Sequence, residues 1–211
     1  MKDGRVARDG LVLLGCGKMG SAMLEGWLAK GLPPTSVGVI DPKPSDWLQG
    51  TGVHLNKDLP DAPAVVLVAV KPQMMQDALP QLRKMGNGET LFVSVAAGTT
   101  IGYFESVLGA ETPIVRAMPN TPAAISRGIT AVVGNGQAGA RSLDEAEVLP
   151  SAVAEVVRPS EEAQIAPVPG VSRAGPAHAL HLLEDTADTA REHGKPRGEA
   201  NERANDPRPA P

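Results

Sequence analysis

Apolar residues in this chain fall into short blocks, each closed by glycine, proline or a charged residue. Residues 11–14 (Leu-Val-Leu-Leu), 37–40 (Val-Gly-Val-Ile) and 64–70 (Ala-Val-Val-Leu-Val-Ala-Val) are the clearest. Blocks of that length without polar alternation fit strands covered on both faces. Further strands are predicted at 89–95, 113–118 and 128–133, with a brief one at 52–55. The spacing between them predicts helices over 21–30, 73–85 and 101–108. Pro72 fits the start of the second helix, because its ring fixes φ and its missing N–H is one that a first helical turn leaves unpartnered. Strand and helix alternate, so the expected class is α/β, a doubly wound parallel sheet with its strand-end loops along one rim.

Composition narrows this picture. With 211 residues, the chain has room for one full domain and a smaller second piece. Two Trp, two Phe and one Tyr leave the core to aliphatic side chains. A net charge of -4 supplies no basic patch, and no nucleic-acid partner is expected. Cys16 is the single cysteine, which rules out an intrachain disulfide and fits a reducing compartment. Residues 1–10 read as a polar tail, with no apolar stretch long enough for a signal peptide or a membrane span, so a cytoplasmic, membrane-free protein is expected.

Candidate chemistry begins directly after the first strand, at Gly15-Cys16-Gly17-Lys18-Met19-Gly20. In a strand–turn–helix context, the first glycine permits a sharp turn. The second lets a pyrophosphate approach, and the third lets helix and strand pack closely. Free N–H groups at the helix start would face the phosphates. The sheet is therefore expected to be of the Rossmann type. Asp41 closes the second strand at the spacing of a residue that accepts ribose hydroxyls, which favours NAD. Lys43, two positions on, is placed to meet a 2′-phosphate, and Asp41 before Pro42 is also a natural turn-former. Cys16 reads either as a small space-filling side chain or as a thiol activated at a helix N-terminus. Lys71 reads either as facing the ligand cleft or as a solvated strand-end lysine. His54 reads as an edge-strand surface residue. His178 with His181 is two ligands short of a zinc site.

Four stretches taken together resemble the pyrroline-5-carboxylate reductase family: Gly15-Cys16-Gly17-Lys18-Met19-Gly20, Ala69-Val70-Lys71-Pro72, Ser94-Val95-Ala96-Ala97-Gly98, and Arg116-Ala117-Met118-Pro119-Asn120-Thr121-Pro122-Ala123. The resemblance implies NADPH-dependent reduction of 1-pyrroline-5-carboxylate to proline, with NADP preferred and NAD possible. It places the cofactor against Leu14, Gly15, Cys16, Gly17, Lys18 and Met19, and against Asn56. Ala69, Val70, Lys71, Pro72, Val95, Ala96 and Ala97 complete that set, and Asn120 would lie near the reacting centre. In the family a helical second domain builds a homo-oligomer and lends substrate groups from a loop resembling residues 168–178. Here those groups would be Gly170, Ser172 and Gly175, with a cyclic imino acid as substrate and Ser172 the remaining hydroxyl.

That second part departs from the family pattern. Pro169 stands where threonine is usual, Arg173-Ala174-Gly175 where glycine-serine-glycine is usual, and His178 where tyrosine is usual. Proline offers neither a hydroxyl nor an N–H to a substrate. Residues 195–211 contain no Val, Ile, Leu, Met or Phe and read as a disordered tail. The expected organisation is therefore a tail over 1–10, a dinucleotide-binding domain over 11–160, a shortened helical remnant over 161–194 without the family's dimerisation helices, and a second tail over 195–211. Two alternatives accompany the reductase reading: a catalytically impaired nucleotide-binding protein, and a reductase of another small imino or keto acid.

Overall fold

The computed structural model describes residues 4–119, 128–149, 154–159 and 162–165. They belong to one compact unit, Met1–Ala166, and the second unit, Pro167–Pro211, lies outside the described residues. The expected helical remnant, apart from a 3₁₀ turn at Glu162–Ile165, and the expected tail over 195–211 fall outside as well.

The unit is built on an eight-stranded sheet with the order β3-β2-β1-β4-β5-β6-β7-β8. Its strands are β1 (Leu11–Leu14), β2 (Val37–Ile40), β3 (His54–Leu55), β4 (Val65–Val68), β5 (Leu91–Ser94), β6 (Ile114–Pro119), β7 (Gly128–Gly134) and β8 (Ala154–Val157). The helices are α1 (Arg5–Asp9), α2 (Lys18–Ala29), α3 (Asp46–Gln49), α4 (Met75–Ala78), α5 (Ile101–Leu108) and α6 (Ala140–Val148). Strands β1, β4 and β5 are buried along their whole length because both faces are covered. Leu11 and Leu13 face a layer with Met23, Leu24 and Trp27 of α2 and Leu48 of α3. Val12 and Leu14 face the opposite layer, with Met75, Leu79 and Phe104. Alternating side chains thus supply two cores from single apolar strands. Trp27 is fully buried, and its indole N–H donates to the carbonyl of Leu149 at 3.0 Å.

The α/β Rossmann-type class holds, with four differences of detail. β7 runs antiparallel to β6, with Arg116 opposite Val133, so it is not another parallel strand ending on the common rim. Only residues 120–127 separate the two strands, too few for the crossover of about a dozen residues that a parallel return requires. β8 then pairs parallel to β7 through α6, a further βαβ unit that the sequence pattern did not yield. Residues 73–85 do not form one helix: α4 is flanked by 3₁₀ turns at Pro72–Met74 and Leu79–Met85. Pro80 sits at the start of the second 3₁₀ turn and lacks the N–H that a continuous α-helix would use. The expected polar tail over 1–10 contains α1, and Arg5 ties it down by donating to the Glu89 carbonyl at 2.9 Å and to Glu145 at 3.2 Å.

Candidate dinucleotide site

The chain order reverses at β1, which has β2 on one side and β4 on the other, so a crevice opens beyond the carboxyl ends of these strands. Register sets the rim: Leu14 pairs with Ile40 and Val68, Val68 with Ser94, and Ser94 with Arg116. The residues that follow, including Gly15, Asp41, Ala69 and Val95, stand at one level along the sheet edge.

The turn from β1 into α2 requires glycine at two positions, Gly15 and Gly20, and leaves the third, Gly17, open. Gly15 has φ +86, and a Cβ there would lie 2.8 Å from Val70 Cγ1 and 3.1 Å from the Ala69 carbonyl oxygen. A Cβ on Gly20 would run into the Gly15 carbonyl oxygen, so the helix rests directly on the turn. Gly17, the N-cap of α2, has nothing within 4 Å of an added Cβ. The middle position therefore presents bare backbone to open space, at a helix start whose first N–H groups have no intrahelical acceptor. An anionic diphosphate fits this cradle electrostatically as well as sterically.

Asp41 is held from several sides. Its Oδ2 accepts the Cys16 N–H and its Oδ1 accepts the Lys43 N–H, each at 2.8 Å. Its own N–H donates to Asn56 Oδ1 and its carbonyl accepts from Asn56 Nδ2, both at 2.9 Å. Asn56 has φ 58, a left-handed conformation that asparagine tolerates. The two residues knit the ends of β2 and β3 to the glycine turn. Asp41 is thus a turn-former, fixed at the carboxyl end of β2 beside the glycine turn. Burial, and secondarily the Asp41 carboxylate, pushes the Cys16 thiol up from 9.0 to about 11, so Cys16 is a protonated, space-filling side chain at neutral pH.

On the other side of the crevice, the Ala69 N–H donates to the Leu14 carbonyl at 2.8 Å and the Val95 N–H to the Val68 carbonyl at 3.0 Å. Val70 packs at the edge of the second core, and Lys71 is an exposed N-cap before Pro72. Val95 and Ala96 are buried, whereas Ala97 and Gly98 are exposed, giving a floor of small side chains. Exposed lysines border the crevice at Lys18, Lys43 and Lys71. Lys57, directly after Asn56 at the end of β3, is a fourth that sequence reasoning passed over, and its position emerges only from the β2–β3 pairing. Met19 is half-buried against the first core. His54 lies on the edge strand, with its ring Nε2 3.0 Å from the Thr35 carbonyl oxygen, away from this rim. Asn120, Gly170, Ser172 and Gly175 lie outside the described residues.

Residues 11–98 match a family model described as NADP oxidoreductase coenzyme F420-dependent. The chain is 35% identical over 198 residues to pyrroline-5-carboxylate reductase of Escherichia coli (strain K12), spanning 89% of this chain and 72% of that protein. A solved pyrroline-5-carboxylate reductase from Coxiella burnetii superposes with a TM-score of 0.71 at 30% identity, over 91% of this chain and 74% of that one. Pyrroline carboxylate reductase of Plasmodium falciparum, solved with NADP bound, shares the fold with a TM-score of 0.66 at 22% identity, over 92% of this chain and 73% of that one.

Proposed function

Because the chain belongs to the pyrroline-5-carboxylate reductase family, we propose that it reduces 1-pyrroline-5-carboxylate to proline with a nicotinamide nucleotide held across the carboxyl ends of β1, β2, β4 and β5. The observation that carries the nucleotide site is the bare Gly17 backbone between two glycines fixed at close approach. The chemistry supplied by the nucleotide is a hydride, delivered to the C=N carbon of the protonated cyclic imine to give the secondary amine.

The protein's part is orientation and exclusion of water. Backbone N–H groups at the start of α2 receive the diphosphate, and Lys18 adds charge beside it. Asp41 and Asn56 shape the ribose end. The small residues at Ala96, Ala97 and Gly98 let a flat ring lie close to the backbone. Asn120 near the reacting centre, and the Gly170, Ser172 and Gly175 backbone as a carboxylate cradle, follow from the family resemblance.

NADPH is the preferred nucleotide in this reading. Both Asp41 oxygens already accept backbone N–H groups, while Lys43 and Lys57 stand exposed beside the ribose end to meet a 2′-phosphate. A cytoplasmic location goes with the same reading, whereas the family's homo-oligomer would need the dimerisation helices that the sequence pattern lacks. Oxidation of NADPH and of NADH, each with and without the imine, tests it, alongside the mass in solution. Imine-dependent turnover favouring NADPH is expected, and turnover with NADH alone would overturn the nucleotide preference.

A further inference from the structure

Arg116 is 3% exposed, on the face of β6 that turns toward α5 and the second core. A guanidinium taken that far from water is costly unless it is paired. Its Nη1 donates to Glu162 Oε1 at 2.7 Å, and its Nε is buried with no partner among the described residues. The same Glu162 oxygen accepts the N–H of Ile101, the first residue of α5, at 2.8 Å. Thr100 caps that helix by accepting the Tyr103 N–H, so the carboxylate satisfies another of its orphan donors and sits at the positive end of its dipole.

One oxygen therefore fastens three segments. Ile101 ends the loop that begins at Val95, whose residues form the small-side-chain floor. Arg116 belongs to the strand that leads into residues 120–127. Glu162 itself comes from the stretch just before the unit ends at Ala166, 46 and 61 positions along the chain from the groups it holds. Arg116, at 3% exposed, presents almost no surface to a nucleotide, so it acts through the groups it holds.

We infer that Glu162 and Arg116 are positioning residues for the reduction: acting through the Ile101 N–H and β6, they fix the floor on which the nicotinamide must lie. This inference rests on the assignment of residues 95–97 to the nicotinamide end. A general stabilising role would give a different pattern, lowering thermal stability and every ligand affinity together. A residue that sets only the floor leaves the far, adenosine end of the site unchanged.

The test compares Glu162→Ala, Glu162→Gln and Arg116→Lys with Trp27→Phe, which weakens the fold far from the rim. The readouts are melting temperature, kcat and KM for the imine, and affinity for 2′-phospho-ADP-ribose, which lacks the nicotinamide. Glu162→Ala is expected to lower kcat at least tenfold with 2′-phospho-ADP-ribose affinity within twofold. Glu162→Gln, which keeps an acceptor for Ile101, should fall between it and the parent, and Trp27→Phe should keep kcat within twofold. If Glu162→Ala fails to fold, Glu162→Gln and Arg116→Lys carry the comparison. A kcat equal to that of Trp27→Phe, or parallel loss of 2′-phospho-ADP-ribose affinity, would overturn the inference. Absence of imine turnover in the parent would count against the proposed reaction. The junction is then read from the emission of bound dihydronicotinamide, where a change in the Glu162 and Arg116 variants but not in Trp27→Phe supports it and no change overturns it.

Discussion

Replacing Gly20 by alanine separates the two demands on the glycine turn. Within a helix, alanine is ordinarily favoured over glycine by about 1 kcal/mol. Here the new Cβ would run into the Gly15 carbonyl oxygen, with the Gly15 carbonyl carbon at 3.3 Å and Ala69 Cβ at 3.6 Å. Neither neighbour is the tip of a flexible side chain, and the Gly15 N–H is itself bonded to the Ile40 carbonyl at 2.8 Å. Overpacking against such atoms costs about 3 kcal/mol, at the upper end for inserted methyl groups. The net loss is then about 2 kcal/mol, which for a chain of this size lowers the melting temperature by roughly 4–8 °C. Gly17→Val should behave in the opposite way. No atom lies within 4 Å of its Cβ, and the fold loses only the N-cap preference for glycine, about 0.5–1 kcal/mol. Its side chain would occupy the phosphate face, and losing one charged hydrogen bond there costs about 2 kcal/mol, roughly thirtyfold in Kd. Thermal melting and calorimetric titration with NADPH would read both variants. A Gly20→Ala protein melting with the parent, or a Gly17→Val protein binding NADPH with parental affinity, would refute the assigned geometry.

Three further outcomes are expected. Because the folded protein holds the Cys16 thiol up at about 11 against 9.0, the stability linked to its proton is present below pH 9 and is lost as pH rises toward 11. Alkylation at neutral pH should be slow, and Cys16→Ala should flatten the decline in melting temperature across that alkaline window. Trp27→Phe leaves the Leu149 carbonyl without its buried donor and should lower stability by about 1–3 kcal/mol in urea titration, whereas an unchanged midpoint would remove that bond from the account. Lys43→Ala should weaken NADPH binding by about 1 kcal/mol, roughly fivefold, and leave NADH unaffected, so equal losses for the two nucleotides would contradict a 2′-phosphate contact.

The first two strands could be read from sequence because their evidence is local, short apolar blocks closed by Gly15 and Asp41, and the helix at 101–108 falls where the spacing between strands placed it. The glycine turn was legible for the same reason, since strand, spacing and helix start are contiguous. The direction of β7 was also written in the chain, in the shortness of residues 120–127, but strand–helix alternation pointed the other way. Asp41 shows what sequence leaves unresolved. The turn-former reading is seen in the structure, where the carboxylate accepts the Cys16 and Lys43 N–H groups and Asn56 pairs with the Asp41 backbone, contacts that no local pattern announces. Glu162 carried no signal, because a lone acidic residue becomes informative only when folding brings Ile101 and Arg116 to it. The altered loop around Pro169 was plain in the sequence and lies outside the described residues.

The measurement that bears most directly on the account is steady-state oxidation of NADPH by the purified 211-residue chain, with and without 1-pyrroline-5-carboxylate, with proline quantified as product. Family membership and the intact nucleotide rim predict imine-dependent oxidation with one proline formed per NADPH consumed. A chain that binds NADPH in titration yet forms no proline would contradict it.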